Sequence, residues 1–380
     1  MVQLLGSDET IHEPDAIFVP PYTEKQIVQA ARELADDEAF RRLLEGFVDL
    51  DQIDGVLESF QNIERAQDMH EILEANNGII IKKTTAGMTC SGLETLVSAD
   101  KGFLFTSNHT DILMDCVTIT SALVQNGYGR ILSAAGINLL NAPYFERILR
   151  SYNCFFFKRP DPVTGFLGKS LPEASNYIAA QREDGASLWV ADTNGRDKDL
   201  RLKADENVVG MWCLAARKRN IPFSDWINFL RIVPVAISYE FDPCDAAKAK
   251  ELYMLDSTGS YEKGHDEDEN SIIAGLNGQN GRVRLAFGTV LTGSFANTVA
   301  VASEIDRQVV QMYELWPTNW IAFDQLERTR EHEGEKYSSQ QRYDFIARVN
   351  DYPLELHRYV YAMYANPVRN KLSMPPGHNI

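Results

Sequence analysis

The sequence predicts an α/β protein, a mostly parallel central sheet flanked by helices, with helical additions at both ends. Three observations predict it. Short apolar runs of strand length recur at Ile79–Ile81, Phe103–Phe105, Ile131–Ala134, Cys154–Phe157, Ser187–Val190, Ile232–Ser238 and Val283–Phe287. Helical spacing fills most of the intervals, over 111–126, 142–151, 165–183, 207–219 and roughly 268–277. The two flanks carry helical spacing without strand runs. The expected organisation is therefore a helical segment at 1–77, an α/β domain at 78–295, and a helical segment at 296–380 packed on it.

Taken in order, the Pro-containing stretch 12–22 leads to Thr23-Glu24-Lys25-Gln26, a capping box. Ile27, Ala30, Ala31 and Leu34 follow at helical spacing. A second helix is expected from about Asp51 to Ala75, on Ile53, Val56, Leu57, Phe60 and Ile63, with Asn76-Asn77-Gly78 as its stop. The strand and helix runs named above then alternate. The last part, 297–315 and 337–365, returns to helical spacing.

Composition bounds the function. The 380 residues are 44% hydrophobic and 24% charged, ordinary for a globular chain. Net charge is −17, which argues against a nucleic-acid partner. Residues 1–100 carry 20 acidic and 7 basic side chains, so most of the acidity is N-terminal. Five scattered cysteines show no metal-ligand spacing and read as reduced thiols, so no metal is expected. No basic and apolar leader opens the chain, and the longest uncharged run, Leu285–Ser303, is too polar for a membrane span.

Four segments at or near strand ends carry the chemistry. The first is Asn108-His109-Thr110-Asp111 with Asp115. A histidine in a strand-end turn with carboxylates just beyond suits a general base, because an acid fixes its tautomer and steadies its charge. The second is the apolar run 154–157 ending in Lys158-Arg159. The third is Leu188–Val190 leading to Asp192-Thr193-Asn194-Gly195-Arg196. The fourth is Ile232-Val233-Pro234-Val235-Ala236-Ile237. Cations beside a glycine suit an anion clamp, since Arg grips phosphate bidentately and glycine lets backbone approach. Each feature alone has a bland reading: a structural histidine, a solvated strand end, a common turn.

Together, in order and spacing, the four resemble the glycerolipid acyltransferase family, which includes glycerol-3-phosphate and lysophosphatidic acid acyltransferases. The resemblance covers about 80–290 and is nearest a bacterial branch, on Ser238–Cys244 and Gly281–Gly288. Asn108 and His109 match the family's first block directly. Phe156 to Arg159 match the second, Asn194-Gly195-Arg196 part of the third, and Ile232–Ile237 the fourth. Three departures stand out. Asp115 follows His109 after five residues, not four, with Met114 at the usual acid position. Asp111 replaces the usual Ser. Asn194 stands where the family has Glu, with Asp192 a possible substitute. Six positions apart on one helix would put His109 and Asp115 about 240° apart, so His109 is expected in the turn before the helix. Asp115 is the preferred partner of His109, with Asp111 the alternative or a helix cap.

The resemblance implies acyl transfer from an acyl thioester to a hydroxyl of a glycerol-phosphate-type lipid. His109 would be the general base, Asp115 or Asp111 its partner, and Arg159, Arg196, Lys158, Gly195 and Asn194 would hold the phosphate. No cofactor is implied beyond the co-substrate, acyl carrier protein or coenzyme A thioester. The rival readings are an N-acyltransferase, transfer to a phosphate-free lipid, and a non-catalytic membrane-associated binding protein. The expected setting is phospholipid biosynthesis in the cytoplasm, with peripheral contact at the inner face of the cell membrane. Met211–Leu230, with Trp212, Phe223, Trp226, Phe229 and Arg217-Lys218-Arg219, is the expected contact surface. A core helix with a basic end is its rival.

Overall fold

In this computed structural model, which describes residues 17–45, 48–96, 101–141, 143–158, 169–264 and 266–374, one eight-stranded sheet runs through the described residues. Its strands are β1 (Phe18–Val19), β2 (Thr85–Ser91), β3 (Leu104–Ser107), β4 (Leu132–Gly136), β5 (Cys154–Phe157), β6 (Leu188–Ala191), β7 (Ile232–Tyr239) and β8 (Gly281–Phe287). They lie in the order β1-β5-β4-β6-β3-β7-β8-β2. Five of the seven pairs are parallel; β1–β5 and β7–β8 are antiparallel. Strands β3 and β7 are buried along their whole length, which is why each opens on an apolar run.

The N-terminal helices are α1 (Glu24–Ala35), α2 (Glu38–Glu45), α3 (Ile53–Gln61) and α4 (Ala66–Thr84). Helix α1 opens on the expected box, with the Thr23 amide donating to Gln26 Oε1 at 2.9 Å, and buries the expected four residues. Two expectations fail here. The single helix expected over Asp51–Ala75 is two, with Ile63 buried between them. Ile79–Ile81 is not a strand: α4 runs straight through Asn76-Asn77-Gly78 to Thr84. Met69, Asn77, Ile81 and Thr84 are buried at helical spacing while Ile79 faces solvent, so packing of one helical face overrides the β-branched run. The strand follows as β2, which has the polar sequence of an exposed sheet edge.

Between and after the strands lie α5 (Met114–Gln125), α6 (Pro143–Ser151), α7 (Ser170–Glu183), α8 (Glu206–Trp212), α9 (Leu214–Arg219), α10 (Phe223–Leu230), α11 (Asp245–Thr258) and α12 (Glu267–Asn277). The helix expected over 165–183 begins at Ser170, and its expected first residues lie outside the described ones. The one expected over 207–219 breaks at Cys213. The C-terminal helices are α13 (Thr298–Met312), α14 (Pro317–Glu327), α15 (Ser339–Asn350) and α16 (His357–Ser373).

Alternation along the strands divides the core. Phe103, Phe105, Val233 and Val235 join one apolar cluster with α1, α3 and α5. Leu104, Ile232 and Ala236 join another with α7 to α10 and α13. The C-terminal helices build a third cluster around Phe345, Val360 and Tyr364. Polar contacts tie that cluster to the start of α11: Arg348 Nη2 donates to Asp245 Oδ2 at 2.9 Å, and the Tyr364 hydroxyl bridges Asp245 Oδ2 and the Asp242 amide.

Candidate active site

The site is built where β3 ends. Its last residue, Ser107, pairs with Ala191 of β6 on one side and Val235 of β7 on the other. Asn108 continues the pairing with its side chain. Its Nδ2 donates to the Ile237 carbonyl and its Oδ1 accepts from the Ile237 amide, both at 2.9 Å. An amide side chain thus does the work of a backbone, and the chain is released into a turn with its last polar groups satisfied.

His109 sits in that turn, outside α5, which begins at Met114. Its Nδ1 lies 2.8 Å from Asp115 Oδ2. The same oxygen accepts from the amides of Thr110 at 2.7 Å and Asp111 at 3.1 Å, and Oδ1 accepts from the Tyr239 hydroxyl at 2.8 Å. Asp115 is wholly buried, and this set of four donors is what a buried carboxylate needs. The five-residue interval works because the turn, not a helix, spans it. Asp111 is placed differently: its Oδ1 accepts from the amides of Leu113 and Met114, capping α5. Its Oδ2 has no partner and lies against Gly275 of α12. Burial, with Asp115 close by, pushes the Asp111 carboxyl up to about 6.

His109 borders a cavity of about 760 Å³, within the range of small-molecule sites. Its apolar lining includes Cys116, Ala134, Phe145, Leu149, Cys154 and Leu171. Its charged lining comprises Arg196, Lys198, Arg217 and Lys263 with Asp205, Glu206 and Asp268. Trp189 also lines the cavity, its ring edge-on to His109 at 5.8 Å and its Nε1 donating to Ser107 Oγ at 3.0 Å.

The third sequence block reaches this cavity. Asn194, Gly195 and Arg196 all line it, and Gly195 has φ +103°, a conformation that favours glycine. Arg196 Nη2 donates to Ser271 Oγ at 3.2 Å, which braces the guanidinium from α12. Asp192 does not line the cavity, so it does not replace the missing acid there; burial, with Asp197 and Asp306 nearby, pushes its carboxyl well above the usual range. The second block contributes differently. Phe157 belongs to the apolar lining, whereas Lys158 is exposed, is not among the lining residues, and pairs its amide with the Ile17 carbonyl. Arg159 lies outside the described residues.

The sequence reading missed Tyr239, Trp189, Lys198 and Lys263. Lys198 pairs with Glu251 and Lys263 with Asp268. It also misjudged Met211–Leu230. Trp212 and Trp226 are buried, and Trp226 Nε1 donates to the Trp212 carbonyl at 2.8 Å, so neither is a surface anchor. What remains exposed there is the tip from Arg217 to Pro222 together with Asp225 and Asn228, and Arg217 also reaches the cavity. Among the described residues no helix is long and apolar enough to cross a membrane, and no group of three His, Cys, Asp or Glu is placed to hold a metal.

Comparison with known proteins bears on the same region. Residues 87–224 match the model of the family described as Acyltransferase. That span holds His109, Asp115 and the 194–196 turn. No curated protein matches the chain. Among solved structures it is similar to the crystal structure of the 1-acyl-sn-glycerophosphate (LPA) acyltransferase PlsC from Thermotoga maritima. The two are 15% identical, with 75% of this chain and 92% of that one covered and a TM-score of 0.37.

Proposed function

We propose that this chain, whose residues 87–224 match the family described as Acyltransferase, is an enzyme that moves a fatty acyl group from an acyl thioester to a hydroxyl of a glycerol-phosphate-type lipid. The observation that carries this is the His109–Asp115 pair opening on a cavity whose lining joins apolar side chains to the Asn194-Gly195-Arg196 turn. His109 Nε2 takes the proton of the acceptor hydroxyl. The oxygen attacks the thioester carbonyl carbon, and the tetrahedral adduct collapses by breaking the C–S bond. The departing thiolate takes the proton back from the imidazolium. Asp115 keeps Nδ1 protonated and balances the charge, help worth about 10²–10⁴ in rate. The apolar lining takes the acyl chain and Arg196, with the Gly195 backbone and Asn194, takes the phosphate. The donor is an acyl carrier protein or coenzyme A thioester, and no cofactor is needed.

The test is thiol release from acyl thioesters against a panel of acceptors, run with His109→Ala as control. Release that needs a phosphorylated glycerol acceptor and His109 supports the proposal. Undiminished release in folded His109→Ala would remove it. A second reading has one observation in its favour: Asp205, Glu206 and Asp268 stand among the cations and suit an amine. Release with amines alone would select N-acylation, and none with any acceptor would leave a binding protein.

A lipid acceptor requires contact with a membrane, here peripheral and at the inner face of the cell membrane. The exposed Arg217-Lys218-Arg219 with Ile221 and Pro222 is the surface we assign to it, because cations beside apolar side chains suit an anionic interface. Flotation on anionic vesicles should fall when 217–219 are neutralised; equal flotation would remove this surface.

A further inference from the structure

We propose that Tyr239 is a positioning residue for the His109–Asp115 pair, its hydroxyl holding the carboxylate oxygen that the histidine turn leaves unclaimed. Asp115 Oδ2 already accepts three bonds, from His109, Thr110 and Asp111. Tyr239 is the donor to Oδ1, at 2.8 Å, and both side chains are buried, Asp115 completely. Without that hydroxyl, half of a charged carboxylate would face a dry interior unpaired. Burial and the neighbouring Asp115 and Asp111 push the Tyr239 hydroxyl well above its usual range, so it remains a donor throughout the working pH range.

The strand that delivers Tyr239 also holds the other side of the turn. Ile237, two positions earlier on β7, grips Asn108 through both of its backbone groups. One strand therefore fixes the residue before the histidine and the acid behind it. The other titratable groups around Asp115 are Asp111 in the turn, Cys116 on α5, Asp192 after β6 and Tyr313 after α13. None of these supplies a hydrogen bond to Oδ1, so the assignment falls on Tyr239 alone.

Its consequence is a set charge balance. A carboxylate relieved of one donor attracts the imidazolium more strongly, so loss of the hydroxyl should raise the pH at which His109 titrates. Tyr239→Phe keeps the ring and removes only the donor. The direct readout is the ¹⁵N titration of the His109 imidazole, assigned by its absence in His109→Ala. The titration should move up by about half a pH unit or more. With acyl thioester and acceptor, kcat should fall about tenfold with KM within about twofold, and the acid limb of kcat/KM should move to higher pH. In a His109→Ala background the second change should cost nothing further, which a merely structural role would not give. A folded Tyr239→Phe protein whose His109 titrates as in the native protein overturns the inference. The kinetic arm rests on the acyl-transfer proposal, but the titration does not. A native protein inert towards every thioester would sink that proposal and leave the titration to decide this one.

Discussion

Replacing Asp115 by Asn separates the charge of this side chain from its shape. Three donors converge on Oδ2 between 2.7 and 3.1 Å, and the Tyr239 hydroxyl meets Oδ1. An amide can keep its oxygen at the three-donor position and turn its NH₂ to Tyr239, whose hydroxyl then accepts. The turn should persist, at a cost of about 1–3 kcal/mol for the weaker bonds. What disappears is the charge opposite the imidazolium. At an effective dielectric of about 20, unit charges 2.8 Å apart attract by about 6 kcal/mol. The imidazole carries only part of its proton in the transition state, so about half of that, ~3 kcal/mol, is felt there. This corresponds to about 10²-fold in kcat. The assay is thiol release at saturating donor and acceptor, beside a thermal melt. A folded Asp115→Asn protein with kcat within about threefold of native would refute the argument, because the charge would then be doing nothing for the proton transfer.

Three further outcomes follow from the same geometry. Asp111 titrates near about 4 in an unfolded chain but is held up to about 6 in the fold. Between these values the folded state keeps a proton that the unfolded state has lost, so this group lowers stability as pH rises through that window. Asp111→Asn should therefore stabilise by up to about 3 kcal/mol at pH 7, with no gain below about pH 4; urea melts showing no pH dependence of the difference would contradict this. A Cβ at Gly275 would lie 2.3 Å from Asp111 Oδ2, so Gly275→Ala should cost about 1–3 kcal/mol; an unchanged melting temperature would mean α12 can shift freely. Arg196→Ala should raise the KM of a phosphorylated acceptor about tenfold or more while leaving the donor's within about twofold; equal shifts in both would take Arg196 out of the phosphate site.

Much of the sheet was legible because its strands are buried on both faces. Phe103–Phe105, Cys154–Phe157 and Ile232–Ser238 are apolar runs, and they coincide with β3, β5 and β7 to within a residue or two. Edge strand β2 was not legible, since Thr85-Ala86-Gly87-Met88 alternates nothing and faces water. Ile79–Ile81 misled because three β-branched residues look like a strand, whereas helix α4 needs only Ile81 for its buried face. The histidine turn was readable from local order alone. Tyr239 was not, because it lies 124 positions from the carboxylate it holds and a tyrosine at a strand end has no distinctive signature. Trp212 and Trp226 show the converse error: an amphipathic-looking stretch whose largest aromatics turn inward.

Strand order explains which of the distant blocks can meet. Parallel strands bring their carboxyl ends to one edge of the sheet, and side chains there are sorted by position across it. Strands β6, β3 and β7 are neighbours, so the 194–196 turn, His109 and Tyr239 converge although more than forty positions separate each from the next. Strand β5 lies three places from β3, on the far side of β4 and β6. At about 4.8 Å per strand, β5 lies about 14 Å from β3 and about 10 Å from β6. Strand β5 gives Cys154 and Phe157 to the apolar lining, alongside Ala134, Ala135 and Gly136 of β4. Two alanine methyls and a glycine leave the space that larger side chains would fill. The cavity thus draws its lining from β4, β5 and the chain after β6, and from α12, with His109 at its border. A lysine placed after β5 and an arginine placed after β6 look alike in the sequence, yet of Lys158 and Arg196 only Arg196 lines the cavity.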